Sequence, residues 1–156
     1  TKINTYRTKG GISMNTIRMH NVEVESLAGF LLELNLKGKQ SRMRTRFVKS
    51  LQERLQLVES ERQEIVKQFA ILGEDGEPKV VTNDEGQQVY DIPEDKVEAF
   101  NKEYNELLIE EFVIEVTESN KSMVEAIRSG VDECDQEFSG REAMVFDRYC
   151  EILGVE

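Results

Sequence analysis

The chain has 156 residues and a net charge of −11 at pH 7, with 33% charged and 38% hydrophobic residues. This length suits one domain, and the composition is that of a globular protein with many solvated faces. The absence of Trp, the two prolines and the many Glu, Lys, Arg, Gln and Leu residues favour helices over a β-sandwich. Apolar runs are too short to span a membrane and no secretory pattern opens the chain, so we expect a cytoplasmic protein.

Residues 1–13 show no amphipathic period, and they include the sequence Lys9-Gly10-Gly11. The codons for these three residues can be written as a purine run that resembles a bacterial ribosome-binding site, shortly before Met14. We therefore expect residues 1–13 to be a translated leader that precedes the native start, with a flexible native tail as the alternative. Residues 14–156 are predicted to form a single domain.

The first predicted elements are a short strand and two helices. Residues 14–24 alternate loosely, which is typical of a strand. Apolar residues then recur at three- and four-residue spacing over residues 26–36, which predicts a helix, with Gly38 as the left-handed residue that ends it. An apolar stripe predicts a long helix over residues 41–72, with Ser41 as its N-cap. The stripe consists of Met43, Phe47, Leu51, Leu55, Val58, Ile65 and Phe69.

A hairpin and a partner helix follow. Two strand-like segments flank the turn sequence Asn-Asp-Glu-Gly, which predicts a β-hairpin over residues 79–92. Pro93 presets the first turn of a helix that is predicted to end at Ile109. Because the hairpin joins two long helices, we predict an antiparallel helix pair with the hairpin at its tip.

The C-terminal third is predicted to be helical as well. Residues 111–117 are ambiguous, since they suit either the end of the preceding helix or a strand. A further helical region carries apolar residues from Met123 to Cys134. Ser139 and Glu142 have the spacing of a capping box and are predicted to open the last helix. The predicted fold is therefore mainly α, with a small β-hairpin, an antiparallel long-helix pair and packed shorter helices.

The most unusual feature is a run of cations in an acidic chain. Residues 50–156 hold 10 Lys and Arg against 28 Asp and Glu, whereas residues 37–49 contain no acid. Cations at a helix start oppose the helix dipole, so local helix stability does not explain them. The cations, called the basic patch below, are Lys37, Lys39, Arg42, Arg44, Arg46 and Lys49.

Three interpretations of the basic patch remain open. The acidic C-terminal half neutralises it within the fold, an acidic protein partner binds it, or it binds phosphate or nucleic acid. The last interpretation is weakened because Phe47 is the only aromatic residue nearby, whereas proteins that stack bases use several.

Motifs for catalysis and metal binding are missing from the sequence. His20 is the only histidine, and no residue at metal-ligand spacing accompanies it. Cys134 and Cys150 lie on separate predicted helices, which favours two buried thiols in a reducing cytoplasm over a disulfide. The acidic clusters, such as the one around Asp132, lack calcium-loop spacing. We predict no catalytic residues, no metal site, no cofactor and no enzymatic activity.

Three segments of the chain resemble a family of small uncharacterised phage and prophage proteins from Gram-positive bacteria, and the resemblance spans about residues 14–153. It implies a bacterial cytoplasm during infection or lysogeny, and it brings no catalytic residues. The segments are Glu33-Leu34-Asn35-Leu36-Lys37-Gly38-Lys39-Gln40-Ser41-Arg42-Met43-Arg44-Thr45-Arg46-Phe47, Tyr104-Asn105-Glu106-Leu107 and Asp147-Arg148-Tyr149-Cys150-Glu151.

The expected function is that of a non-enzymatic accessory protein that binds another phage or host protein, in virion assembly or in modulation of a host factor. One alternative is a nucleic-acid or phosphate-binding module that uses the basic patch. Another is an inhibitor that meets a host defence protein with an acidic surface. No membrane partner is expected, and self-association is a further option.

Overall fold

A computed structural model describes residues 15–156, and the predicted leader or tail at residues 1–13 lies outside them. The chain forms two compact units. Of the described residues, the first unit contains 15–54 together with Glu111–Glu156, and the second contains Leu55–Glu110. The described elements are β1 (Thr16–His20), α1 (Asn21–Glu33), α2 (Gly38–Phe69), β2 (Val80–Thr82), β3 (Gln88–Tyr90), α3 (Val97–Ile109), β4 (Glu111–Glu115), α4 (Lys121–Asp132) and α5 (Gly140–Leu153). The mainly helical fold class is confirmed.

The first unit is built on a two-stranded sheet that joins distant parts of the chain. Strand β1 was predicted, and it pairs antiparallel with β4 from Thr16–Glu115 to His20–Glu111. The ambiguous residues 111–117 therefore contain a strand. Ile17 and Met19 of β1 are fully buried. They join a core that also includes Val24, Leu27, Leu31, Phe47, Val48, Leu51, Val124, Ile127 and Leu153.

Helix α1 begins five residues earlier than predicted, because His20 and Glu23 form a capping box. The backbone N–H of His20 donates to Oε1 of Glu23 at 3.0 Å, and the His20 side chain accepts from the backbone of Glu23. These two bonds satisfy amides that a helix start leaves without partners. The helix ends at Glu33, and Leu34 follows in an extended conformation.

Two predictions about the start of α2 were wrong. Gly38 has the predicted left-handed conformation, with φ of +51°, but it is the first residue of α2 and does not end α1. Ser41 is therefore inside the helix, where its backbone N–H donates to the carbonyl of Lys37 at 3.4 Å, and it is not the N-cap. Along the predicted apolar stripe, Met43, Phe47 and Leu51 are buried, whereas the four later residues are half-buried.

The second unit contains the C-terminal part of α2, the hairpin and α3. The rings of Phe69, at the end of α2, and Phe100, near the start of α3, meet edge to face with centroids 6.1 Å apart. Val66 and Leu107 are buried. The hairpin thus joins two helices whose adjoining ends meet through these rings.

The hairpin itself agrees with the prediction. Strands β2 and β3 pair antiparallel from Val80–Tyr90 to Thr82–Gln88. Oδ1 of Asn83 accepts from the backbone N–H groups of Glu85 and Gln87, at 3.0 and 2.8 Å, and so closes the turn. Pro93 then precedes a short 3-10 helix, Glu94–Lys96, that leads into α3.

Helix α5 begins after Ser139 as predicted, but the predicted capping box does not form, because the Ser139 side chain makes no capping hydrogen bond. At its other end the helix stops at Leu153, and Gly154 takes a left-handed φ of +75°. Nε of Arg128 on α4 donates to the carbonyl of Leu153 at 2.6 Å, which ties these two helices together. Within residues 15–156, no helix has the length and apolar character needed to cross a membrane.

Candidate binding surface on helix α2

Four cations of the basic patch lie along one face of α2. Their positions repeat at intervals of three, four and three residues, so the 3.6-residue period places them within one narrow sector of the helix. All four are exposed. We call this surface the cation stripe, and at a rise of about 1.5 Å per residue it extends over about 15 Å. It consists of Lys39, Arg42, Arg46 and Lys49.

Arg44 does not belong to the stripe, because it points into the fold and binds the end of α1. Its Nη1 donates to the carbonyl oxygens of Leu31 and Leu34, both at 2.8 Å, and to that of Leu32 at 3.3 Å. Its Nη2 donates to Oγ of Ser41 at 3.3 Å. Carbonyls in the last turn of a helix lack intrahelical partners and carry its negative dipole end, so a guanidinium is well suited to them. Arg44 therefore has a structural role.

The stripe cations have no acidic partner within the part of the chain that the structure describes. Ion pairs in residues 15–156 include those of Arg18, Arg62, Lys67 and Arg148, but none involves a cation of the basic patch. The first turn of α2 also contains no acid. Exposed cations there cost a few tenths of a kcal/mol each against the helix dipole. Within residues 15–156, close ion pairs therefore do not neutralise the stripe.

A shallow groove lies beside one end of the stripe, between α2 and α4. Its volume is about 420 Å³, and its lining includes Lys39, Gln40 and Met43 on one side and Ser122, Glu125 and Ser129 on the other. Nε2 of Gln40 donates to the carbonyl of Ala126 at 3.4 Å across it. The groove is polar and open, which suits a protein surface better than an enclosed small molecule.

Comparison with known protein families identifies one match. The family described as "Protein of unknown function (DUF1617)" matches residues 16–154. The chain belongs to the DUF1617 family. The match includes all nine helices and strands named above, and with them the basic patch. Neither the curated proteins nor the solved structures gave a match.

The sequence also singled out His20 and the two cysteines of this DUF1617 chain. His20 caps α1, as described above. No cluster of three or more His, Cys, Asp and Glu side chains within residues 15–156 is arranged to hold a metal ion. Cys134 and Cys150 are free and only half-buried, where the sequence predicted buried thiols. One cavity, of about 800 Å³, is lined mainly by α5.

Asp147, Cys150 and Glu151 are among the residues that line that cavity. Burial and the nearby charge of Asp147 raise the pKa of the Cys150 thiol. A raised pKa disfavours the thiolate, which is the reactive form of cysteine.

An ion pair between Glu23 and Arg148 ties the two ends of the DUF1617 match together, and the sequence did not predict it. Nε and Nη2 of Arg148 donate to the two carboxylate oxygens of Glu23, at 2.7 and 2.9 Å. These hydrogen bonds lower the pKa of Glu23 from its usual 4.5. The ring centroids of Phe30 on α1 and Tyr149 on α5 lie 5.0 Å apart. The pair spans 125 positions, so no local pattern signals it.

Proposed function

We propose that this protein is a non-enzymatic binding protein whose cation stripe takes an acidic surface on another protein. One observation carries this proposal. Four exposed cations share one face of α2 without an ion pair to any acid in residues 15–156, in a chain whose net charge is −11. Two of them are arginines, whose planar guanidinium groups bind carboxylates through two parallel hydrogen bonds.

Charge and burial favour a protein over a nucleic acid as the partner. Phe47, the only aromatic residue within the basic patch, is fully buried and offers no ring on which a base could stack. The second unit holds 15 acidic and 5 basic residues, so it repels an extended polyanion. An acidic protein patch of limited size matches a stripe of about 15 Å without extending over the rest of the surface.

The sequence resemblance supports a finer proposal about context. We propose that the protein acts in the cytoplasm of a bacterial host during infection or lysogeny, where its partner is a phage or host protein. Virion assembly and modulation of a host factor both fit this mode of action. A second candidate, inhibition of a host defence protein, is favoured by the acidity of the second unit, which could occupy a basic site on such a protein.

Affinity purification from infected or lysogenic cells tests the proposal. The bait is compared with a variant in which Arg42, Arg46 and Lys49 are changed to Ala. A matched control changes Lys96, Lys102 and Lys121 to Ala, because these exposed lysines lie outside the stripe. A partner that the stripe variant loses and the control retains supports the proposal. Partners that both variants retain at wild-type levels contradict it.

A further inference from the structure

We propose that the β2–β3 hairpin of one copy docks on the cation stripe of a second copy of this chain. This inference rests on the proposed function, because it assigns a partner to the same stripe. It adds a second surface, the β2–β3 hairpin, as the partner of the stripe. The hairpin and its flanking turns, residues 73–95, are called the acidic arm below.

The two strands of the acidic arm are largely exposed. All three residues of β2 are exposed, and the side chains of Val80, Val81 and Val89 are 54%, 40% and 39% exposed. Val81 and Val89 are cross-strand partners, so their side chains lie on the same face of the hairpin. Two-stranded hairpins are only marginally stable alone and gain stability when one face is covered. The apolar face of the arm is therefore available to a partner.

The charge of the arm complements the stripe. Residues 73–95 hold eight acids and one base, Lys79. Asp84 and Glu85 are exposed in the turn, and Asn83 holds that turn through two hydrogen bonds from backbone N–H groups. Because the turn is already ordered, its carboxylates lose little conformational freedom on binding. The stripe offers exposed cations that have no ion pair within residues 15–156.

The lengths of the two surfaces also agree. The strand segment from Glu77 to Asp84 covers about 23 Å in extended conformation, and the stripe covers about 15 Å along its helix. A hairpin laid on α2 can thus contact all four stripe cations. Carboxylates that meet Arg42 and Arg46 would form charge-assisted hydrogen bonds, and Val81 and Val89 would add apolar contact at the same interface.

Each copy carries one stripe and one arm, which determines how copies combine. Two copies that exchange arms use both surfaces in a closed pair, whereas copies joined head to tail continue into a ring or an open array. Both arrangements depend on concentration and weaken with salt, because exposed charge pairs are screened.

A charge-swap experiment tests the inference by sedimentation velocity. One variant carries R42E and R46E, and the other carries D84K and E85K. Wild type is expected to associate at low salt, and its association constant is expected to fall about tenfold or more when sodium chloride rises from about 50 to about 500 mM. Each variant alone is expected to sediment as a monomer. Their equimolar mixture is expected to associate again, because the reversed stripe and the reversed arm then lie on different molecules.

A control variant with K102E and K121E changes the net charge by the same amount as R42E with R46E, outside both surfaces, and is expected to associate like wild type. If a reversed variant does not fold, the isosteric changes D84N and E85Q replace the arm reversal and are expected to weaken association about tenfold. Wild type that stays monomeric at low salt overturns the inference. So does a mixture that associates no better than its components.

A second measurement tests the proposed function independently of the second-copy inference. Binding to a short labelled glutamate peptide, no longer than the stripe of about 15 Å and called polyglutamate below, is measured for the same proteins. If wild type is monomeric but R42E with R46E loses polyglutamate binding, the second-copy inference is wrong and the stripe still binds acidic proteins. If wild type and that variant bind polyglutamate equally, the proposed function is wrong whatever the sedimentation shows.

Discussion

Arg44 donates a hydrogen bond of 2.8 Å to the carbonyl oxygen of Leu34, ten residues earlier in the chain, just after the last turn of α1. Together with the bonds to Leu31 and Leu32, this contact fixes the end of α1 against α2. The basic patch is therefore composite. Arg44 stabilises the fold, the four cations of the stripe face solvent, and Lys37 is exposed just before α2.

Changing Arg44 to Ala is expected to lower the free energy of unfolding by about 2–3 kcal/mol, the range for hydrogen bonds to a charged group together with carbonyls left unpaired. Arg46, two residues away and exposed, is the matched control, and its change to Ala is expected to shift stability by less than about 0.5 kcal/mol. Urea denaturation of both variants provides the measurement. Equal losses would contradict a structural role that Arg44 alone fulfils.

The Glu23–Arg148 pair predicts a pH dependence of stability. Arg148 lowers the pKa of Glu23 below its usual value of 4.5, so the folded state favours the charged carboxylate. Its contribution is fully present above pH 4.5 and is lost as the pH falls through the lowered pKa of the folded state. Changing Glu23 to Gln is expected to cost about 1 kcal/mol at pH 7 and much less near pH 3.

Thermal denaturation at several pH values measures this difference, and a change of the exposed Glu25 to Gln is the control on the same helix. The stability difference between wild type and the Glu23 variant should narrow on acidification. A difference that stays constant from pH 7 to pH 3 would mean that the ion pair does not stabilise the fold.

The hairpin turn depends on the side chain of Asn83. Its Oδ1 accepts two hydrogen bonds from backbone N–H groups, at 3.0 and 2.8 Å. Changing Asn83 to Ala is expected to destabilise the hairpin by about 1–2 kcal/mol, because both N–H groups lose their acceptor. Hydrogen exchange of the amides in β2 and β3 reports this locally and should accelerate. The neighbouring change of Asp84 to Asn is expected to leave the exchange rates unaltered. Similar acceleration in both variants would show that the hydrogen bonds to Asn83 do not stabilise the turn.

Truncation of the two residues that precede α4 and α5 is expected to lower the free energy of unfolding by different amounts. Asn120, before α4, accepts from the backbone N–H of Thr117 at 2.7 Å and donates to the carbonyl of Glu115 at 2.8 Å. Ser139, before α5, makes no capping hydrogen bond. Changing Asn120 to Ala is expected to cost about 1–2 kcal/mol, whereas changing Ser139 to Ala is expected to cost less than about 0.5 kcal/mol. Guanidinium denaturation measures the free energy of unfolding of both variants. A larger loss of stability for the Ser139 variant would contradict this prediction.

Elements that depend on local signals were predicted from the sequence. The turn residues of the hairpin and the apolar stripe of α2 act over a few positions, so their structure follows from neighbouring residues. The pairing of β1 with β4 could not be predicted, because it joins residues that lie more than 90 positions apart. The division into two units likewise depends on contacts between segments distant in sequence.

Helical spacing in the sequence already separates Arg44 from the stripe, although its charge grouped it with the other cations. Arg44 precedes Phe47 by three residues and Leu51 by seven, so helical periodicity places it on the buried face of α2 and not with the stripe. Its acceptors belong to another helix and became apparent only once α1 and α2 packed. The capping box of α1 was missed for a different reason, since His is not among the usual N-cap residues.

The most direct test of the central claim is fluorescence anisotropy with labelled polyglutamate. A stripe variant carrying R42E, R46E and K49E is compared with a control carrying K96E, K102E and K121E, which has the same net charge and alters exposed lysines elsewhere. Wild type and the control are expected to bind at low salt, and the stripe variant is expected to bind at least about tenfold more weakly. All binding is expected to weaken with salt. Equal affinities for the stripe variant and the control would contradict it, since binding would then follow net charge and not the face of α2.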